Sequence, residues 1–102
     1  MTIFISMPMH GMSHKAVEIF MNNAIKDAKR RFGDSVTFVN ALDTDPPSTG
    51  VYEHPRLYYL GNAIIKMAEC DGVYFCNDWY AAPGCQVEYE VATRYGLDCY
   101  FE

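Results

Sequence analysis

Four short apolar runs, alternating with three helically periodic segments, predict an α/β protein built on a parallel sheet. The runs are apolar throughout rather than every second residue, the pattern of strands covered on both faces. The segments between them repeat apolar residues at i, i+3 and i+4, and glycine or proline interrupts most of the joins. With 102 residues, 50% hydrophobic and 15% aromatic, the chain is sized for a single domain over residues 1–102 with a real core.

Each element has its own signal. Residues 2–6, TIFIS, form a β-branched and aromatic run closed by Pro8 and Gly11, a buried strand. Ser13 is placed to cap a long helix whose apolar side is Ala16, Val17, Ile19, Phe20, Ala24, Ile25, Ala28 and Phe32, with Gly33 as its stop. Residues 35–42 read as a second strand. The stretch 43–55, DTDPPSTGVYEHP, has three prolines and no period, so it is a loop, and one long enough to suggest a functional role. A second helix is expected from about Arg56 to Glu69, with Leu57, Leu60, Ile64, Ile65 and Met67 or Ala68 on its apolar side. GVYFC (72–76) is a third strand, NDWYAAPG an irregular loop, 84–95 a third helix ended by Gly96, and LDCYFE a last strand. The order β-α-β-α-β-α-β implies a small three-layer, flavodoxin- or Rossmann-like fold with four parallel strands, three helices and right-handed crossovers. Ligands of such sheets bind beyond the carboxyl ends of the strands, so SMPMHGMS, the 43–55 loop and NDWYAAPG should share one rim.

Composition narrows the partners. A net charge of −5 argues against a nucleic-acid polymer. The basic cluster Lys26, Lys29, Arg30 and Arg31 ends a helix, where cations complement the dipole. No apolar run approaches the roughly 18–20 residues of a membrane span, and the N-terminus has no signal-peptide pattern. Cys70, Cys76, Cys85 and Cys99 form no CxxC and read as free thiols of a cytoplasmic protein. His10 and His14 have HxxxH spacing, but Pro8 and Gly11 oppose a helix there and no third ligand is evident, so neither a metal nor a cofactor is expected.

GCQVEYEVA (84–92) holds two glutamates two positions apart, and a helix turns about 100° per residue, so they project to opposite sides. Glu90 has Arg94 four residues on, an ordinary surface pair worth about 0.2–0.5 kcal/mol. Glu88 has only Gly84, Cys85, Val91 and Ala92 around it, none of which can pair with it. It lies in the opening turns of a helix that starts at the expected ligand rim. Either it serves the helix dipole alone, or it is a nucleophile, general base or hydroxyl acceptor beside a space left by small residues.

The loop before that helix carries further candidates. Trp79 and Tyr80 could stack on a base or cover the sheet edge. Asn77 and Asp78 could read a ligand or form the turn. His54 is a loop histidine able to act as an acid or a ligand contact. Tyr52, Tyr58, Tyr59, Tyr95 and Tyr100 exceed what so small a core absorbs, which points to a homo-oligomer.

IFISMPMHGMS, followed by a long helix, and CDGVYFCNDWYAAPGCQVEYEVATRYG together resemble the nucleoside 2-deoxyribosyltransferase-like superfamily, in particular its small DUF4406 branch. The second match rests on Asp71, Trp79, Gly84, Glu88, Ala92 and Gly96 at the family's offsets. The resemblance implies that Glu88 is the nucleophile that attacks the anomeric carbon of a nucleoside. It also implies that Ser6, Met7, Pro8, Met9, His10 and Gly11 help hold the sugar or a 5′-phosphate, with Gly84 and Cys85 beside the glutamate. Two departures bear on the chemistry: Ala82 stands where active transferases carry an aspartate, and Phe4 where a tyrosine is common. The expected ligand is therefore a nucleoside or nucleotide, either cleaved or transferred at its N-glycosidic bond through Glu88, or held without chemistry as a nucleotide signal of ADP-ribose-like or cyclic type.

Overall fold

The computed structural model describes residues 1–9, 11–41 and 53–102. Its elements follow the expected order: β1 (Thr2–Ser6), α1 (His14–Phe32), β2 (Thr37–Asn40), α2 (Pro55–Met67), β3 (Gly72–Phe75), a short 3₁₀ turn (Trp79–Ala81), α3 (Pro83–Arg94) and β4 (Asp98–Phe101). The four strands form one parallel sheet in the order β2-β1-β3-β4. No helix among the described residues is long and apolar enough to cross a membrane.

After β2 the chain passes back over β1 to reach β3. With right-handed crossovers, that reversal puts the helices before and after it on opposite faces. The packing agrees. On one face Ile3, Ile5, Tyr74 and Cys76 meet Val17, Met21, Ala24 and Ala28 of α1. On the other, Phe4, Val73 and Phe75 meet Ala63 and Met67 of α2 and Ala92 of α3. The two-residue period of β1 thus sends Ile3 and Ile5 to α1 and Phe4 and Ser6 to α3, so Ser6 reaches the helix that carries Glu88.

Local chemistry sets the element ends. Ser13 Oγ accepts from the Ala16 amide at 3.2 Å, and Gly33 closes α1 by donating to Lys29 O at 2.8 Å. At the amino end of the sheet, the Asp71 carboxylate accepts from the Thr2 amide at 2.8 Å while the Asp71 amide donates to Thr2 O at the same distance. Gly72 must be glycine, because a Cβ there would lie 2.9 Å from the Tyr100 ring and 3.0 Å from Asp98 O.

Two helix faces differ from expectation. In α1, Met21 is buried and Ile19 and Phe20 are exposed. In α2, Ala63 and Met67 are buried while Leu57 and Ile65 (66% exposed) face outward. Helical spacing alone does not say which of two adjacent apolar stripes meets the sheet. Among the tyrosines, Tyr95 is 81% exposed, whereas the Tyr100 ring packs edge-on against Phe32 with centroids 4.8 Å apart. Tyr52 and the 42–52 part of the long loop lie outside the described residues.

Candidate functional site

The α3 helix begins at Pro83, whose fixed φ and missing amide hydrogen suit the first helical position. Glu88 is therefore its sixth residue, beyond the first turn where the helix dipole acts strongly on a charge. It is only 7% exposed. A dipole-serving surface glutamate is excluded, and the other acid behaves as the spacing demands: Arg94 Nε lies 2.9 Å from Glu90 Oε2 in solvent.

Among the described residues, one polar group hydrogen-bonds the buried carboxylate. Ser6 Oγ donates to Glu88 Oε1 at 2.7 Å, joining the carboxyl end of β1 to α3. No described residue hydrogen-bonds the second oxygen, Oε2. Burial pushes the Glu88 carboxyl up to about 7, against a lowering by the Ser6 hydroxyl. Near neutral pH the group can therefore either take or give a proton.

Cys85, one turn earlier, is buried beside the same hydroxyl. Burial raises its thiol to about 11; the Ser6 contact acts to lower it and the Glu88 charge to raise it. Ser6 has one hydroxyl proton, and its short contact with Glu88 commits that proton to the carboxylate. Cys85 is thus a neutral thiol rather than a nucleophile. Burial likewise raises Cys70 to about 11 and Cys76 to about 12, so all three are inert free thiols in the fold.

A cavity of about 680 Å³ opens above this carboxylate, between the loop after β1 and the amino ends of α2 and α3. Met7, Met9 and Met12 give it an adaptable apolar wall, Tyr59 an aromatic one, and Arg56 and Glu88 its oppositely charged groups. Ala82 and Gly84 line it without filling it, and a Cβ at Gly84 would meet nothing within 4 Å. Packing does not demand that glycine, so the room it leaves belongs to the cavity.

The family profile described as "Domain of unknown function (DUF4406)" matches residues 1–101. The chain belongs to the DUF4406 family. No curated protein and no solved structure matches it. Of the DUF4406-like positions noted in the sequence, Gly84 and Glu88 meet in the cavity, whereas Asp71 clips the opposite end of the sheet and Ala92 is fully buried core.

The remaining candidates are spread over several places. Met7, Pro8, Met9, Gly11 and Cys85 line the cavity with Glu88, and Ser6 lies beneath it on Glu88. His10 lies outside the described residues. Asn77 and Asp78 line a second depression of about 470 Å³, together with Met7, Pro8, Met12, Phe20, Asp27 and Glu102. Trp79 packs with Phe75, Tyr89 and Phe101, its ring centroid 4.7 Å from that of Tyr89. Tyr80 is exposed, its carbonyl accepting from the Gln86 side chain. His54 is an exposed residue at the start of α2.

Arg56, Tyr59 and His14 also line the cavity, although the sequence pointed His14 only to a metal and Tyr59 only to an interface. Arg56 had a signal: it opens a helix, where a cation opposes the dipole, and no acid stands three or four residues on.

Proposed function

We propose that this chain binds a nucleoside or nucleotide in the cavity over Glu88 and works on its N-glycosidic bond. One observation carries the reading: a carboxylate with a pKa near 7, nine-tenths buried, with one oxygen held by Ser6 and the other without a partner among the described residues, beside an open cavity. A carboxylate kept out of water without a cation costs stability, a cost that the fold alone does not require. The resemblance of the chain to nucleoside 2-deoxyribosyltransferases supports the substrate class, through Gly84 and Glu88 at matching offsets.

In this reading Ser6 fixes Oε1, and the ionised Oε2 attacks the anomeric carbon as the bond to the base breaks and the base leaves with its electron pair. The glycosyl ester on Glu88 then passes to water or to a second base. Ala82, which precedes α3 at its N-cap, has no side chain able to protonate the leaving base. Glu88 is also the only carboxylate among the described residues lining the cavity. That same observation favours a second reading, in which the protein holds a nucleotide signal without turning it over.

Incubation with a panel of nucleosides and nucleotides, followed by mass spectrometry of released base and of retained ligand, separates the two. Base release that disappears in Glu88→Ala supports catalysis. Intact ligand recovered on denaturation supports binding alone. No base release, no retained ligand and no thermal shift with any member of the panel would sink both. The exposed Leu57, Ile65 and Tyr95 support self-association, which sedimentation would test.

A further inference from the structure

Three of the four arginines have evident structural partners. Arg30 lies 3.4 Å from Asp27, and Arg94 lies 2.9 Å from Glu90. Arg31 donates to Phe101 O at 2.6 Å and sits over the rings of Phe32, Tyr74 and Tyr100. Arg56 alone makes no hydrogen bond, ion pair or ring contact among the described residues, and it lines the cavity. Its position is electrostatically unfavourable, since it is the second residue of α2 at the positive end of the helix dipole. That first turn contains no acid, and His54 offers no side-chain cap. The imidazole on the wall, His14, is engaged with Glu18 at 3.0 Å.

The cavity follows α2 from Arg56 at its exposed rim to Ala63 in the core, a rise of about 10 Å over seven residues. Its two opposite charges thus differ in placement, with Glu88 buried and Arg56 at the mouth. A ligand that spans the cavity meets the carboxylate with one part and the guanidinium with another.

We propose that Arg56 is the specificity determinant of this cavity, anchoring an anionic group, phosphate or carboxylate, on the part of the ligand remote from Glu88. The guanidinium presents a planar fork of donors that matches either anion, and the positive end of the α2 dipole adds a favourable potential. The site then takes the acidic form of its ligand, a nucleotide in preference to the parent nucleoside. This rests on the reading of the cavity as a nucleoside or nucleotide site, so the test has one arm that does not.

In that arm, inorganic phosphate is titrated into the full chain while the arginine Nε–Hε signals are followed by NMR. A saturable shift at Arg56, absent at Arg30, Arg31 and Arg94, is expected. Equal, non-saturating shifts at all four would overturn the proposal. In the second arm, adenosine 5′-monophosphate and adenosine 5′-carboxylate are compared with adenosine by calorimetry. One or both acids should bind about tenfold or more tighter than adenosine. Arg56→Ala should bring that ratio near one, and Arg56→Lys should restore part of it. A preference that survives Arg56→Ala would also overturn the proposal. A saturable phosphate shift with no binding of any adenosine compound would leave the anion site standing and count against the nucleoside reading.

Discussion

Two depressions open along the carboxyl rim of the sheet, and Met7, Pro8 and Met12 wall both of them. The smaller one, toward α1, is rich in acids: Asp27, Asp78 and Glu102 all line it. Those acids are exposed and occupied, Asp27 by Arg30 and Glu102 by the Asn77 amide, which donates to its Oε1 at 2.8 Å. The larger one, toward α2 and α3, has among the described residues one acid, which is buried and hydrogen-bonded through one of its two oxygens. Environment rather than the number of carboxylates separates a wetted surface groove from a candidate reactive site. Exposed acids leave their charge in water, whereas Glu88 has had its ionisation moved into the physiological range.

The largest expected effect tests that difference directly. The Glu88 carboxyl ionises at about 7 in the fold against 4.5 ordinarily. Between those values the folded chain holds a proton that the unfolded chain has released. This group's contribution to stability therefore falls as pH rises through the window and levels off above it. At about 1.4 kcal/mol per pH unit, the cost above pH 7 is on the order of 3 kcal/mol. Glu88→Gln is neutral in both states, and its amide carbonyl can still accept from Ser6. Urea unfolding should show the variant and the native chain close in stability near pH 4.5, and the variant more stable by about 2–3 kcal/mol at pH 8. A difference that does not change with pH would place Glu88 in water with the other acids.

Ser6→Ala sharpens the same contrast from the donor side. It removes the Ser6 hydrogen bond to a buried carboxylate and should destabilise the fold by about 1–3 kcal/mol, more at pH 8 than at pH 5. The loss grows with pH because the hydroxyl donates to the ionised form. If ¹³C NMR showed the Glu88 carboxyl titrating unchanged in this variant, the Ser6 contact would have no electrostatic role.

How much of this was legible in the sequence follows from the physics of each feature. The sheet was readable because a parallel strand covered on both faces must be apolar throughout, as Ile3, Phe4 and Ile5 show. The division of labour between Glu88 and Glu90 was readable because helical geometry is local and Arg94 stands four residues away. Ser6 was legible only as part of a turn, since its pairing with Glu88 spans 82 residues and depends on which face of β1 meets α3. Trp79 could not be placed, because a ring that covers a sheet edge and one that awaits a base look alike in sequence. The structure seats it on Phe75, Tyr89 and Phe101.

Gly84→Ala separates stability from binding within the larger cavity. The added methyl meets no atom within 4 Å, and the position is helical, where alanine is favoured over glycine by about 0.5–1 kcal/mol. The variant should therefore be slightly more stable in urea while binding its ligand less well, because the methyl occupies room beside Glu88. A glycine kept for packing would give the opposite sign of stability change.

The smallest effect belongs to the other depression. Asp27 and Arg30 form an exposed pair one turn apart on α1, with a long N···O distance of 3.4 Å. Exposed pairs gain little, because water already solvates both charges and holding two flexible side chains together costs entropy. Asp27→Asn should change stability by no more than about 0.5 kcal/mol at low ionic strength, and by less once added salt shortens the screening length. It should leave any ligand affinity of the Glu88 cavity untouched, since Asp27 lines only the smaller depression. If Asp27→Asn instead weakened nucleotide binding as strongly as Arg56→Ala, the two depressions would be one site divided by the Met7–Met12 loop, and the acids toward α1 would have to be counted as part of it.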